Sequence, residues 1–234
     1  MIRAVFFDWF GTLAQYHPPR EQLLSQVLEE LGLNVSPDDI RPALVVADRE
    51  FYEENAAASW QDMTGEERTN MFIRQQQRML ARAGVQVSGD MPYKILARTR
   101  ELYAGLKFVL FDDVLDTMKA LKKRDLTLGL LTNLNRDINS LCRELGMEPY
   151  LDFTVTSAEV GAEKPHPPVF LAALEHASVT AEQALHVGDQ YSVDVVGARN
   201  LGINPVLLDR DDVYPEVNDC PRIRTLGEVT AYLD

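Results

Sequence analysis

Residues 2–7, Ile2-Arg3-Ala4-Val5-Phe6-Phe7, form a near-continuous apolar run that stops at Asp8. Such a run reads as a strand buried on both faces of a parallel sheet. A strand of that kind is not stable without neighbours. The next clear strand pattern, LTLGLLTN, begins only at Leu126. Any fold open to this chain must therefore carry its first strand back to partners far along the sequence.

What lies between is helical. Apolar residues recur at helical spacing in EQLLSQVLEELGL, DIRPALVVADREFYEE, EERTNMFIRQQQRMLARAG and PYKILARTRELYAGL, which predicts about four consecutive helices. Strand patterns then return as LTLGLLTN, DFTVTSAE, ALHVGD and NPVLLD, separated by helical stretches at 114–124, 135–146, 167–177 and 191–201. That alternation predicts a parallel sheet. The simplest assembly is one α/β core, residues 1–15 and 107–234, interrupted by a helical insertion over 16–106. Two independent domains would strand the first apolar run without a sheet. No internal repeat or low-complexity tract is present.

Composition excludes several classes. The hydrophobic fraction of 46% and charged fraction of 25% are ordinary globular values, which excludes a disordered or fibrous chain. A net charge of −13 with no clustered Lys or Arg argues against a nucleic-acid partner, so a small anionic substrate would need positive charge supplied locally. Cys142 and Cys220 match no zinc or redox spacing and read as structural thiols of a reduced compartment. Met1 leads almost directly into a strand, without the succession of a signal peptide, and no apolar stretch approaches membrane-spanning length. A cytoplasmic protein without membrane attachment is the expectation.

Four stretches put reactive residues at or just after strand ends. They are Asp8 with Thr12 in FFDWFGTL, Thr132-Asn133 in LTLGLLTN, Lys164 in GAEKPHPP, and Asp189 with Asp194 in HVGDQYSVD. Ligands of open α/β sheets gather outside the carboxyl ends of strands. Each stretch alone has a plain structural reading: a turn cap for Asp8, a strand residue for Thr132, a solvated charge for Lys164, and a capped helix start for GDQYSVD. Taken together they would converge at one sheet edge. Gly11 allows the loop after Asp8 to turn tightly, so that backbone N–H groups can face an anion.

This order of motifs resembles the haloacid dehalogenase-like hydrolase superfamily, in the subgroup whose helical cap is inserted after the first motif. The resemblance covers essentially the whole chain, the cap by position and helicity alone. It implies a Rossmann-like parallel sheet core flanked by helices, with an inserted α-helical cap that closes over the site and excludes water. It further implies Asp8 as nucleophile, Thr132 as a hydrogen-bond donor to the transferring group, Lys164 as its charge partner and Asp194 as the residue orienting that cluster. Mg2+ would be held by Asp8, Asp189 and the backbone carbonyl of Phe10, with Phe10, Gly11, Thr12 and Asn133 against the substrate. The chemistry is consistent. A carboxylate can attack phosphorus to form an aspartyl-phosphate, and charge on phosphoryl oxygens needs a lysine, a metal and preorganised donors. The ion also makes carboxylates tolerable beside an anion.

One position departs from the phosphatase pattern. Phosphatases of this superfamily typically carry a second aspartate two residues after the nucleophile, as general acid and base, and here that residue is Phe10. Acyl and aryl phosphates, whose leaving oxygens need little protonation, would then be better substrates than alkyl phosphates. The dehalogenase branch also lacks the second aspartate, so DWFGTL leaves open a 2-haloacid dehalogenase acting through an aspartyl ester. Asp189 points the other way, because an unpaired carboxylate in a metal-free site would repel the substrate's own carboxylate. A non-catalytic protein that binds a ligand or partner is the third reading, and retention of Asp8, Lys164 and Asp189 weighs against it.

Outside these motifs the sequence says less. His17, His166, His176 and His186 show no metal-ligand spacing. His17 and Arg20 lie where the chain would enter the cap and could reach a substrate, and Trp9 either walls the pocket or packs in the core. Asn135 reads as a helix cap or mouth residue. Arg41, Arg49 and Arg74 lie on insertion helices, with solvated faces the simplest assignment. Monomer and homodimer are both compatible with the sequence.

Overall fold

Strand β1, Ala4–Phe7, has all four residues fully buried, which a strand achieves only between neighbours and under helices on both faces. The computed structural model describes residues 1–56, 63–134 and 137–234. It supplies those neighbours from far along the chain. Strand β4, Thr127–Thr132, pairs parallel to β1 on one side, with Phe7 opposite Leu130, and β6, Ala184–Gly188, on the other, with Phe7 opposite Val187. Beyond them lie β5, Phe153–Thr156, next to β4, then β7, Asn204–Leu208, and the two-residue β8, Arg222–Ile223. The six-stranded order β5-β4-β1-β6-β7-β8 is the parallel Rossmann-like sheet expected. Successive strands run outward in opposite directions from β1, so the topological switch point lies at its carboxyl end, where such sheets bind ligands.

Helices cover the sheet. Ala4 and Phe6 share one face by the two-residue period and cluster with Val169, Phe170 and Ala173 of α8, Pro167–Ala177, and Ala198 of α9, Val196–Arg199. Helix α5, Val114–Lys122, buries Val114, Met118 and Leu121, and α6, Ile138–Glu144, buries Ile138 and Cys142. The DFTVTSAE segment leaves the strand earlier than its pattern predicts. Thr156 accepts the Glu159 N–H while the Glu159 carboxylate accepts the Thr156 N–H, a capping box that turns Ser157–Val160 into the short helix α7. The helix predicted from Tyr191 opens as a π-helical turn, Tyr191–Val195. The start of the segment predicted over 135–146, including Asn135, lies outside the described residues.

By its contacts the chain divides into two compact units, Met1–Gln15 with Val109–Asp234, and Tyr16–Phe108. The second contains α1, Arg20–Glu30, α2, Pro37–Asn55, α3, Gly65–Arg82, and α4, Met91–Tyr103. Ser36 caps α2, and Thr64 with Glu67 forms a capping box on α3. Leu24, Val27, Leu28, Ile40, Ala43, Met79, Leu80 and Ile95 form its core. Two short strands that the sequence pattern did not predict, β2, Ala14–His17, and β3, Lys107–Leu110, pair as a separate ribbon where the chain passes from one unit to the other and back. Four residues each are too few to show a period.

Arg20 does not project as a free cation. It donates to Asp48 at 2.5 and 3.2 Å and to the Tyr103 hydroxyl at 3.4 Å, and Gln75 donates to Asp48 at 2.7 Å, so the network joins α1, α2, α3 and α4. His17 is exposed, as are Arg41 and Arg74, and Arg49 pairs with Glu53 at 2.8 Å. Cys142 and Cys220 are free thiols, and burial pushes the Cys142 thiol up to about 11, which keeps it unreactive. Among the described residues, no helix is long and apolar enough to cross a membrane.

Candidate active site

The register of the sheet decides what meets at its carboxyl edge. With Phe7 level with Leu130 and Val187, Asp8 lies level with the last residues of β4 and β6, and its N–H donates to the Val187 carbonyl at 2.9 Å. Asp8, Thr132-Asn133 and Asp189 therefore leave three adjacent strands at one end. Lys164 joins them from the loop before α8.

The Lys164 side chain, 1% exposed, donates from Nζ to Asp8 Oδ1 at 2.5 Å and to Asp194 Oδ1 at 2.6 Å. Its backbone is clasped by Asn133, whose Oδ1 accepts the Lys164 N–H at 2.8 Å while Nδ2 donates to the Lys164 carbonyl at 3.1 Å. Asn133 thus serves the lysine loop. The Thr132 hydroxyl accepts the Leu134 N–H at 3.0 Å, which leaves its own proton available to donate.

Asp189 is held on both oxygens. Thr12 donates from Oγ1 to Oδ1 at 3.3 Å, and Gln190 donates from Nε2 to Oδ2 at 2.6 Å. Gly11 has φ +83°, and a Cβ there would lie 2.5 Å from Asp189 Oδ2, so both conformation and space require glycine. Its N–H donates to the Ala14 carbonyl at 2.9 Å, so Gly11 shapes the turn instead of offering that N–H to an anion. Arg210 fastens the far side of the same loop, donating to the Thr12 carbonyl at 3.0 Å and to both oxygens of Asp113. Trp9 is fully buried, which makes it core, whereas Phe10 is half-buried.

Three carboxylates face one ammonium here. One oxygen each of Asp8, Asp189 and Asp194 lies within 4.8 Å of the others. Burial, the neighbouring Asp194 and the opposing pull of Lys164 leave the Asp8 carboxyl raised to about 6, and burial together with Asp8 and Asp194 holds Asp189 well above the usual carboxylate range. Asp194 behaves differently. Burial disfavours its charge, but Lys164 and His186 outweigh that and hold it below the usual range. The same burial opposes the charge on Lys164, and Asp194 and Asp8 outweigh it, keeping the lysine protonated.

His186 is a residue whose place sequence reading left open. It is 1% exposed, burial holds it neutral, and its Nε2 lies 3.0 Å from Asp194 Oδ1, to which it donates. Asp194 Oδ2 accepts the Gln190 N–H at 3.1 Å. With Asp194 engaged by three donors, the crowded charge rests on Asp8 and Asp189. An all-oxygen set of carboxylates, Asp194 buried and Asp8 and Asp189 half-buried, with excess negative charge suits a hard divalent cation. The site can present a carboxylate nucleophile, a fixed positive charge and such an ion to an anionic group.

A family model described as haloacid dehalogenase-like hydrolase matches residues 2–202. The chain is similar to haloacid dehalogenase-like hydrolase domain-containing protein 3 of Danio rerio, 34% identical over 53% of this chain, and spans about half, 52%, of that relative's length. It is similar over nearly its whole length to a ribulose-1,5-bisphosphate 5-phosphatase of Halopiger xanaduensis, 26% identical over 98% of each chain, and to a glyceraldehyde 3-phosphate phosphatase of Methanopyrus kandleri, 29% identical over 94% of this chain and 90% of the relative. Among solved structures it resembles an HAD phosphatase of Thermococcus onnurineus, 22% identical with a TM-score of 0.59 over 99% of this chain and 98% of the other. A 2-haloacid dehalogenase of Pseudomonas syringae is 26% identical, with a TM-score of 0.58 over 100% and 98%. With the family match running through all four motifs, from Asp8 to Asp194, the chain belongs to the haloacid dehalogenase-like hydrolases.

Proposed function

We propose that this protein is a Mg2+-dependent phosphohydrolase of a small phosphorylated metabolite, with Asp8 as nucleophile and Tyr16–Phe108 as its cap. The observation that carries the reading is the half-buried Asp189 beside Asp8 and Asp194, three carboxylates against which, among the described residues, Lys164 is the one cation seen to pair. A haloacid brings its own carboxylate and would meet that excess negative charge unshielded.

Asp8, Asp189 and the Phe10 carbonyl would hold the ion, which when bound supplies positive charge against the phosphoryl oxygens. The remaining roles belong to the chain. Asp8 attacks phosphorus, forming one P–O bond as the bond to the leaving oxygen breaks. Lys164, held by Asp194, and the free proton of Thr132 stabilise charge on the transferring group. Water then attacks the aspartyl-phosphate, releasing orthophosphate and restoring the Asp8 carboxylate. Phe10 has no proton to give the leaving oxygen, which favours acyl and aryl over alkyl phosphates.

Phe10 also favours a second reading, carboxylate attack on a halogen-bearing carbon, since halide leaves without a proton. Phosphate release from acetyl phosphate and p-nitrophenyl phosphate, with Mg2+ and with chelator, tests both. Mg2+-dependent turnover abolished by Asp8→Asn supports the phosphohydrolase. Asp8-dependent halide release from a 2-haloacid, insensitive to chelator and without phosphate release, would overturn it.

A further inference from the structure

We propose that Gln190 and Tyr214 form a relay in series that orients the Asp189 carboxylate for a divalent cation, an inference that rests on the metal-dependent reading above. Gln190 sits between both acidic residues of the last motif. Its backbone N–H donates to Asp194 Oδ2 at 3.1 Å and its side-chain Nε2 donates to Asp189 Oδ2 at 2.6 Å. One residue therefore sets the orientation of two carboxylates.

The side-chain amide is held at both ends, with the acceptor-only carboxylate of Asp189 taking its NH2 group and Tyr214 holding its oxygen. The Tyr191 N–H points to Tyr214 Oη at 3.5 Å, so the hydroxyl accepts there and gives its proton to Gln190 Oε1 at 3.1 Å. With Oε1 occupied, the NH2 group faces Asp189. Turned over, the amide would set its oxygen against the carboxylate and lose the bond to Asp189. Tyr214 is itself 1% exposed and packs with Val195 and Leu207. Its N–H donates at 3.1 Å to Asp209, a buried carboxylate that Arg222 holds at 2.8 Å.

The relay leaves ligand positions open. A carboxylate has about four lone-pair sites, and Thr12 and Gln190 take one on each oxygen of Asp189. Neighbours that orient a metal-binding carboxylate in this way change metal affinity when removed, typically by about 10- to 100-fold. Gln190 and Tyr214 are positioning residues, acting through Asp189.

The test is calorimetric titration of Mg2+ into the chelator-stripped full-length protein, as wild type, Gln190→Met, Tyr214→Phe and the double variant. The expected result is a dissociation constant raised about 10- to 100-fold in Gln190→Met, raised in the same direction in Tyr214→Phe, and no worse in the double variant than in Gln190→Met alone, since links in series do not add. In turnover, the change should fall on the half-saturating Mg2+ concentration more than on kcat. Wild-type affinity in either single variant, or additive losses in the double, would overturn the relay. Tyr214→Phe keeps the buried ring and carries the test if Gln190→Met fails to fold. A wild type that binds no Mg2+ would instead overturn the metal-dependent reading, and the relay with it.

Discussion

Asp8→Asn should stabilise the fold while abolishing turnover, and the amount follows from the crowding of charge. Burial first, then Asp194, raise the Asp8 carboxyl from 3.8 to about 6, against the pull of Lys164. Between those two values the native state keeps a proton that the unfolded chain releases. The slope of stability with pH follows protons bound in the unfolded state minus those bound in the native state. That difference is negative here, so Asp8 removes stability as pH rises from about 4 to about 6. At about 1.4 kcal/mol per pH unit, its ionisation costs the native state about 3 kcal/mol at pH 8. Asparagine carries no charge to desolvate. In chelator at pH 8 the variant should exceed wild type by up to about 3 kcal/mol, or about 6–12 °C in Tm for a chain of this size, with the gain vanishing toward pH 4. Thermal and urea melts at pH 4, 6 and 8 measure this directly. Added Mg2+ should close the gap, because a ligand bound only by the native wild type stabilises it. A variant no more stable than wild type at pH 8, or a gain that does not change with pH, would refute the reasoning.

Lys164→Met removes the ammonium that both Asp8 and Asp194 contact, and should destabilise by about 3–5 kcal/mol in urea unfolding, as expected when one partner of a buried ion pair is lost. Gly11→Ala should cost about 1–2 kcal/mol from the left-handed backbone alone. It should also weaken Mg2+ binding in calorimetry, because the new Cβ displaces Asp189 Oδ2. Phe10→Asp restores a proton-transfer group two residues after Asp8, and should raise the alkyl-to-aryl phosphate rate ratio by about 10²-fold or more in parallel assays; an unchanged ratio would show that leaving-group protonation does not limit turnover.

The fold was legible because its signals are local. The apolar run ending at Asp8, the strand patterns of LTLGLLTN, ALHVGD and NPVLLD, and the helix at Pro167–Ala177 all stand where short-range periodicity predicts them. Periodicity fails where an element is too short to show it, as in β2, β3 and β8. It fails too where a cap overrides propensity, as Thr156 and Glu159 do after β5.

The site divides along the same line. The types and order of Asp8, Thr132, Lys164, Asp189 and Asp194 pointed by themselves to carboxylate chemistry on an anion at a sheet edge. Which of them carries a proton, and which are held by what, belongs to contacts between residues far apart in sequence. Asn133 reaches the backbone of Lys164, Arg20 is absorbed by Asp48 and Tyr103, and Tyr214 governs Asp189 through Gln190. Nothing in a linear pattern marks these pairings. Sequence determined which groups reach the end of β1, because strand and helix formation depend on neighbours a few positions away. Tertiary structure alone decided their charge and orientation, because desolvation and hydrogen-bond partners arise only when distant segments pack together.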